Sequence, residues 1–210
     1  TLGSVFLHAR RMRLIPRGYV SPTKGLERAA EPVDPDRYLR PEEVDRILKV
    51  ARVVDTRWGK LPALITLAFH TGLRVGNLMA LRWQDVDLHE GVASVARTKN
   101  GQPHVAALTD ACIAVLKAIP GKHPDALVFA GPSGRPYTWR RLWARSCSEA
   151  GLPGRNFHQL RHGCGSALAS AGVNQALIMQ TLGHRTLAAS QRYMHSNVSD
   201  RRAVVQKVFG

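Results

Sequence analysis

Six side chains in this chain are suited to work on a phosphodiester: Arg74, Lys99, His158, Arg161, His184 and Tyr193. The first five hold or donate positive charge and protons, and the last is a phenol able to act as a nucleophile. A planar guanidinium grips two non-bridging phosphate oxygens, and imidazole supplies a further donor. Basic groups around a phenol ease its ionisation and stabilise the charge that builds on a bound phosphate. Such a set can attack a phosphodiester with no metal or other cofactor.

Each residue has a plainer reading on its own. His158 and Arg161 stand where a loop enters a helix, a spacing that places both on one face of a first turn rich in free N–H groups. They could equally be a helix-capping histidine and an arginine paired with an acid. Arg74 follows Thr71-Gly72-Leu73 at a break between two apolar helices, so it must leave the core or meet an anion in a cleft. Lys99 sits at the shoulder of a turn, where most lysines are simply solvated. Tyr193, at helical spacing, would ordinarily be a core residue with its hydroxyl satisfied. Position reverses that reading, because His184 lies nine residues upstream after a Leu-Gly break, with Arg161 one helical hairpin earlier. His158 and His162 also share a spacing used by zinc sites, but no third ligand is evident and Arg161 would repel a metal. His162 reads as a supporting residue.

The composition fits a polyanion partner. Lys and Arg number 30 against 15 Asp and Glu, a net charge of +15, which points to nucleic acid bound by phosphate neutralisation. A merely soluble basic protein would also account for it. No long apolar run suits a membrane span, and no N-terminal signal pattern is present. Cys112, Cys147 and Cys164 lack paired metal or redox spacing and read as small buried thiols in a reducing, cytoplasmic setting.

The elements that must position these residues are mostly helices. Residues 2–14 form one amphipathic stretch with Val5, Phe6, Ala9 and Met12 inward, followed by a Pro/Gly-punctuated linker. An opening in mid-helix without Met reads as a piece of a longer protein. Pro41 with Glu42 and Glu43 starts a helix to about residue 54. Residues 62–70 form a second apolar helix ended by Gly72, and 75–81 a short third. The pattern then alternates: 92–96 and 104–108 flank Asn100-Gly101, a strong hairpin signal. Thr109 caps a helix over 110–119. A short strand is expected at 127–130, and a helix to residue 150 capped by Thr138. Helices at 159–170, 174–182, 186–193 and 200–208 complete a mostly α chain with one small antiparallel β-sheet (α+β).

Two stretches resemble a known family. The run Ala68-Phe69-His70-Thr71-Gly72-Leu73-Arg74-Val75-Gly76-Asn77-Leu78-Met79-Ala80-Leu81-Arg82-Trp83 looks like the first motif box of the tyrosine recombinases, the phage integrase family. Residues 157–195 look like the second, with His158-Gln159-Leu160-Arg161, Gly183-His184 and Tyr193 in the family's order. The resemblance covers roughly residues 38–210 and implies a tyrosine-recombinase catalytic-domain fold. It also implies that Arg74, Arg161, His158 and His184 hold the scissile phosphate of double-stranded DNA. Lys99 then protonates the leaving 5′-oxygen, and Tyr193 becomes linked to the 3′-phosphate. Residues 1–37 resemble the end of the family's core-binding domain plus its linker, with 38–210 the catalytic domain.

The resemblance further implies a homotetramer on two DNA sites, joined through the apolar C-terminal tail. Arg140, Arg141 and Arg145 on one helix are the candidate DNA-binding residues; a solvated basic face is the alternative. One position departs from the family, Asn77, where an acid is usual. Asparagine cannot orient basic neighbours as a carboxylate does, which bears on rate more than on reaction type. A type IB topoisomerase with the same chemistry, a non-catalytic DNA-binding relative and a zinc nuclease are the competing readings.

Overall fold

The computed structural model describes residues 2–16, 18–26, 38–96, 103–131 and 134–183. Contacts divide the chain into two units, Thr1–Asp34 and Pro35–Gly210. The first holds helix α1 (Leu2–Arg11), none of whose residues is fully buried. Phe6 stacks on Tyr19 at 5.8 Å, but Val5 and Met12, expected to face inward, are 64% and 60% exposed. A unit this small has too little second layer to cover a whole apolar stripe.

The second unit is organised around α3 (Lys60–Thr71), a helix apolar on nearly every side and therefore buried on nearly every side. Helices α2 (Pro41–Val54), α5 (Asp110–Lys117) and α7 (Gln159–Ser170) pack against it. Helix α6 (Arg140–Glu149) lies on α2, and α8 (Gln175–Leu182) on α7. Short α4 (Val75–Ala80) follows α3 directly, then a single 3-10 turn over Trp83–Asp85. Strands β1 (Val86–Asp87), β2 (Val92–Val95) and β3 (His104–Ala107) form an antiparallel sheet in that order. Val92 pairs with Ala107 and Val95 with His104, so the two segments expected to flank Asn100-Gly101 are antiparallel neighbours, in a register two residues away from that of a tight turn centred on that pair. Ala93, Val95 and Ala106 give the sheet its buried face.

Local chemistry explains where the elements start and stop. Thr109 accepts a hydrogen bond from the Cys112 N–H and Asn174 from the Leu177 N–H, two side-chain N-caps. Helix α3 begins two residues before the expected Pro62, because Asp55 Oδ2 accepts the Lys60 and Leu61 N–H groups at 2.7 and 2.8 Å. The same oxygen accepts the Tyr137 hydroxyl at 2.7 Å, tying α3's entry to the chain before α6. Helix α6 starts at Arg140 with Trp139, not Thr138, at its N-cap position, and no side chain caps it. The strand expected at 127–130 is only two isolated bridges, Arg82 with Leu127 and Ala130 with Pro136. Proline has no N–H with which to extend such a ladder. The expected helices at 186–193 and 200–208 lie outside the described residues. All three cysteines are buried thiols, and burial pushes Cys147 and Cys164 up to about 12.

Two glycines let the helices close. Gly72 ends α3 in the left-handed region (φ 62°), and a Cβ there would run into Leu182 of α8. Gly163 on α7 passes so near the backbone that a Cβ would collide with the Leu39 carbonyl and sit 2.9 Å from Phe69 Cε2. Since a backbone carbonyl cannot swing away, Gly163→Ala should lower the unfolding free energy by about 1–3 kcal/mol. Urea denaturation measures this, and an unchanged midpoint would contradict the packing described.

Candidate active site

Arg161 sits in the first turn of α7 and is 4% exposed. Its guanidinium spans two helix ends: Nη1 donates to the Gly72 carbonyl and Nη2 to the Leu182 carbonyl, each at 2.5 Å. Both carbonyls stand at helix C-termini, where the dipole favours a cation. Arg74 is the N-cap residue of α4, half-buried and extended (ψ 141°), just past the break at Gly72. The break is held by Thr71, whose hydroxyl donates to the Leu67 carbonyl at 2.5 Å and accepts the Leu73 N–H at 3.2 Å. With Leu73 buried as a plug, Arg74 is the first residue to emerge from the core.

A residue outside the six connects these two arginines. His104 opens β3, and its imidazole lies within the electrostatic reach of both Arg161 and Arg74. Burial first, then those two charges, hold it below its ordinary value, while a hydrogen bond to the Thr181 backbone pulls the other way. The fold thus brings the α3–α4 break, β3, α7 and the end of α8 to one place. The sole signal of this in the sequence is a histidine at the edge of an otherwise apolar, alternating strand.

His158 occupies the N-cap position of α7 and is exposed. Its N–H donates to Asn156 Oδ1 at 3.0 Å, and Asn156 N–H donates to Gln159 Oε1 at 2.8 Å, so Asn156 rather than the imidazole organises the helix start. The His158 ring meets His162 edge-on at 4.9 Å. Among the described residues no group of three or more His, Cys, Asp and Glu converges as a metal-ligand set. His158 and Arg161 share a turn but not an environment, one exposed and the other buried. Lys99, His184 and Tyr193 lie outside the described residues. Their described flanks are the paired Val95 and His104, and Gly183, which ends α8 in the left-handed region (φ 60°).

Arg140, Arg141 and Arg145 line an open groove of about 880 Å³ with Trp58, Gly76 and Met79. Arg145 is paired with Glu149 of its own helix at 2.7 Å, so part of the expected charge is already matched. Arg140 lies over the Trp139 ring at 5.2 Å and Arg57 over Trp58 at 5.0 Å. Arg57 and Trp58 do not stand out in the sequence; a lone Arg-Trp pair in a loop carries little signal.

Residues 37–200 match the family model described as the phage integrase family. The chain belongs to that family. Among its relatives, the integrase of Salmonella phage P22 is 27% identical over 83% of this chain and 48% of its own length. The type 1 fimbriae regulatory protein FimE of Escherichia coli K12 is 31% identical over 78% of this chain and 87% of its own. The catalytic domain of bacteriophage HP1 integrase superposes with a TM-score of 0.62, at 21% identity, over 80% of this chain and 93% of that one. This integrase-family chain therefore spans about half the length of the phage P22 relative and nearly all of the isolated HP1 domain. Its fold is the mostly helical tyrosine-recombinase catalytic fold with a small antiparallel sheet.

In this integrase-family domain, burial also holds His70 below its ordinary value, with Asp45 opposing. Below an unfolded pKa near 6.5 the unfolded chain binds protons at His70 and His104 that the folded chain takes up only at lower pH. Stability should therefore fall as pH drops through that value, and the loss should be complete once both folded pKa values are passed. Thermal melts across this range should show a declining Tm, with a shallower decline in His70→Gln; identical slopes would refute the assignment.

Proposed function

We propose that this chain carries the strand-breaking and rejoining activity of a site-specific DNA recombinase, with Tyr193 as nucleophile. The observation that carries the reading is the convergence of Arg74 and Arg161, from distant stretches, beside one imidazole next to the α8 turn that leads into His184. The Tyr193 oxygen attacks the scissile phosphorus in line. The bond to the 5′-oxygen breaks, leaving a 3′-phosphotyrosyl link and a 5′-hydroxyl that takes its proton from Lys99. Arg74, Arg161, His158 and His184 bind the charge spread over the equatorial oxygens. Because the covalent link conserves a phosphate ester, a 5′-hydroxyl from a second strand reverses the step without ATP.

The geometry suits these roles. Two N–H groups of Arg161 are held by the Gly72 and Leu182 carbonyls, which fix the orientation of the guanidinium. The exposure of His158 at a helix start supports a role toward an incoming phosphate. The groove along α6 begins beside Val75 and Gly76, directly after Arg74, so a strand leaving the scissile phosphate would run past Arg140, Arg141 and Arg145. Residues 38–210 are the catalytic domain in this reading, and 1–37 the end of a core-binding domain with its linker. The C-terminal tail joins copies into a tetramer on two duplexes, in a cytoplasmic, nucleoid-associated setting. Among the described residues no helix is long and apolar enough to cross a membrane.

A nicked duplex that loses its short 5′ fragment on cleavage traps the adduct. Wild-type chain should form a covalent protein–DNA species, and Tyr193→Phe should form none while still shifting the duplex. Arg74→Ala should slow adduct formation on the order of 10²-fold. Binding with no adduct from the wild type would favour a non-catalytic DNA-binding relative. For the groove, replacing Arg140 and Arg141 together by Gln should reduce the slope of log affinity against log salt by about two, one for each phosphate left unneutralised. An unchanged slope would return these arginines to a merely solvated face.

A further inference from the structure

His104 is more than a neighbour of the two arginines. A Cβ built on Gly183 would stand 3.4 Å from its Nδ1 and 3.6 Å from both Cε1 and Cγ. Near-equal distances to three ring atoms mean that the ring face is laid against the glycine. The imidazole also hydrogen-bonds the Thr181 backbone. Its Nε2 is buried with no hydrogen-bond partner. Beside Thr181 and Gly183, Leu182 gives its carbonyl to Arg161. Three successive residues at the end of α8 are thus gripped, two by His104 and one by Arg161.

Opposite lies the hairpin. His104 pairs with Val95, and these two residues bracket the connection that carries Lys99. One side chain therefore joins the root of the Lys99 connection to the last turn before His184. Glycine suits position 183 because the backbone there is left-handed (φ 60°); a Cβ would meet the ring only at ordinary van der Waals distance. Burial and the adjacent positive charges keep the ring neutral near neutral pH, so it adds no third cation beside Arg161 and Arg74.

We infer that His104 is a positioning residue for proton delivery: seated on Gly183 and bonded to Thr181, it fixes the Lys99-bearing hairpin against the end of α8 and Arg161. This rests on the recombinase reading above, in which Lys99 is the general acid. Loss of His104 should leave charge stabilisation on the phosphate intact and misplace the leaving-group proton.

Two substrates separate those faults. In one the scissile 5′-bridging atom is oxygen; in the other it is sulfur, whose thiolate departs without needing a proton. His104→Ala should slow single-turnover adduct formation at least about tenfold on the oxygen substrate. On the sulfur substrate it should come within about threefold of wild type, following Lys99→Ala and not Arg74→Ala. His104→Phe, which keeps a ring over Gly183 and loses the Thr181 bond, should show the same split to a lesser degree and serves if the alanine variant does not fold. Equal slowing on both substrates, or none on either, in the folded variant overturns the inference alone. A wild type forming no adduct on either substrate overturns the recombinase reading, and this inference with it.

Discussion

A buried guanidinium is expensive unless every face of it is matched, and the way Arg161 is matched governs the rest of this domain. Here two peptide carbonyls, of Gly72 and Leu182, receive the N–H groups. Each lies at the negative end of a helix dipole, so partial charges there stabilise the buried cation. This arrangement demands that the ends of α3 and α8 come within reach of one side chain on α7. The packing is arranged to permit it.

That demand explains several otherwise unrelated residues. Gly72 must lack a side chain because Leu182 occupies the space, and Gly163 because the Leu39 backbone does. Cys164, Ile178 and Leu182 form a small apolar cluster of their own that holds α8 to α7. On the far side, Asp55 fixes the start of α3 and Tyr137 together. The central helix is thus pinned at its N-terminus by a carboxylate and read out at its C-terminus by an arginine.

Much of this is legible from residue order. Pro41 with Glu42 and Glu43 marks α2, Asn100-Gly101 marks the hairpin, and Thr109, Asn174 and Gly183 mark helix ends where they occur. These signals are local, since each depends on atoms within a few residues. What fails to show depends on distant partners. The early start of α3 needs Asp55, outside the helix. The single bridges at Leu127 and Ala130 depend on what lies across from them. His104 has no sequence neighbour that declares its role; only folding lays it on Gly183. Arg161 can be named from sequence, but whether it faces an acid, solvent or two carbonyls cannot, because those acceptors lie 89 and 21 residues away.

The stacked arginines along the groove carry a kinetic consequence. A guanidinium held over an indole, as Arg57 is over Trp58 and Arg140 over Trp139, gives up rotational freedom before any ligand arrives. Ordering already accomplished in the unbound state need not be repeated on contact, which acts mainly on dissociation. Loose lysines on the same surface would hasten encounter through charge alone; the indole platforms instead lengthen the dwell of whatever anion settles there.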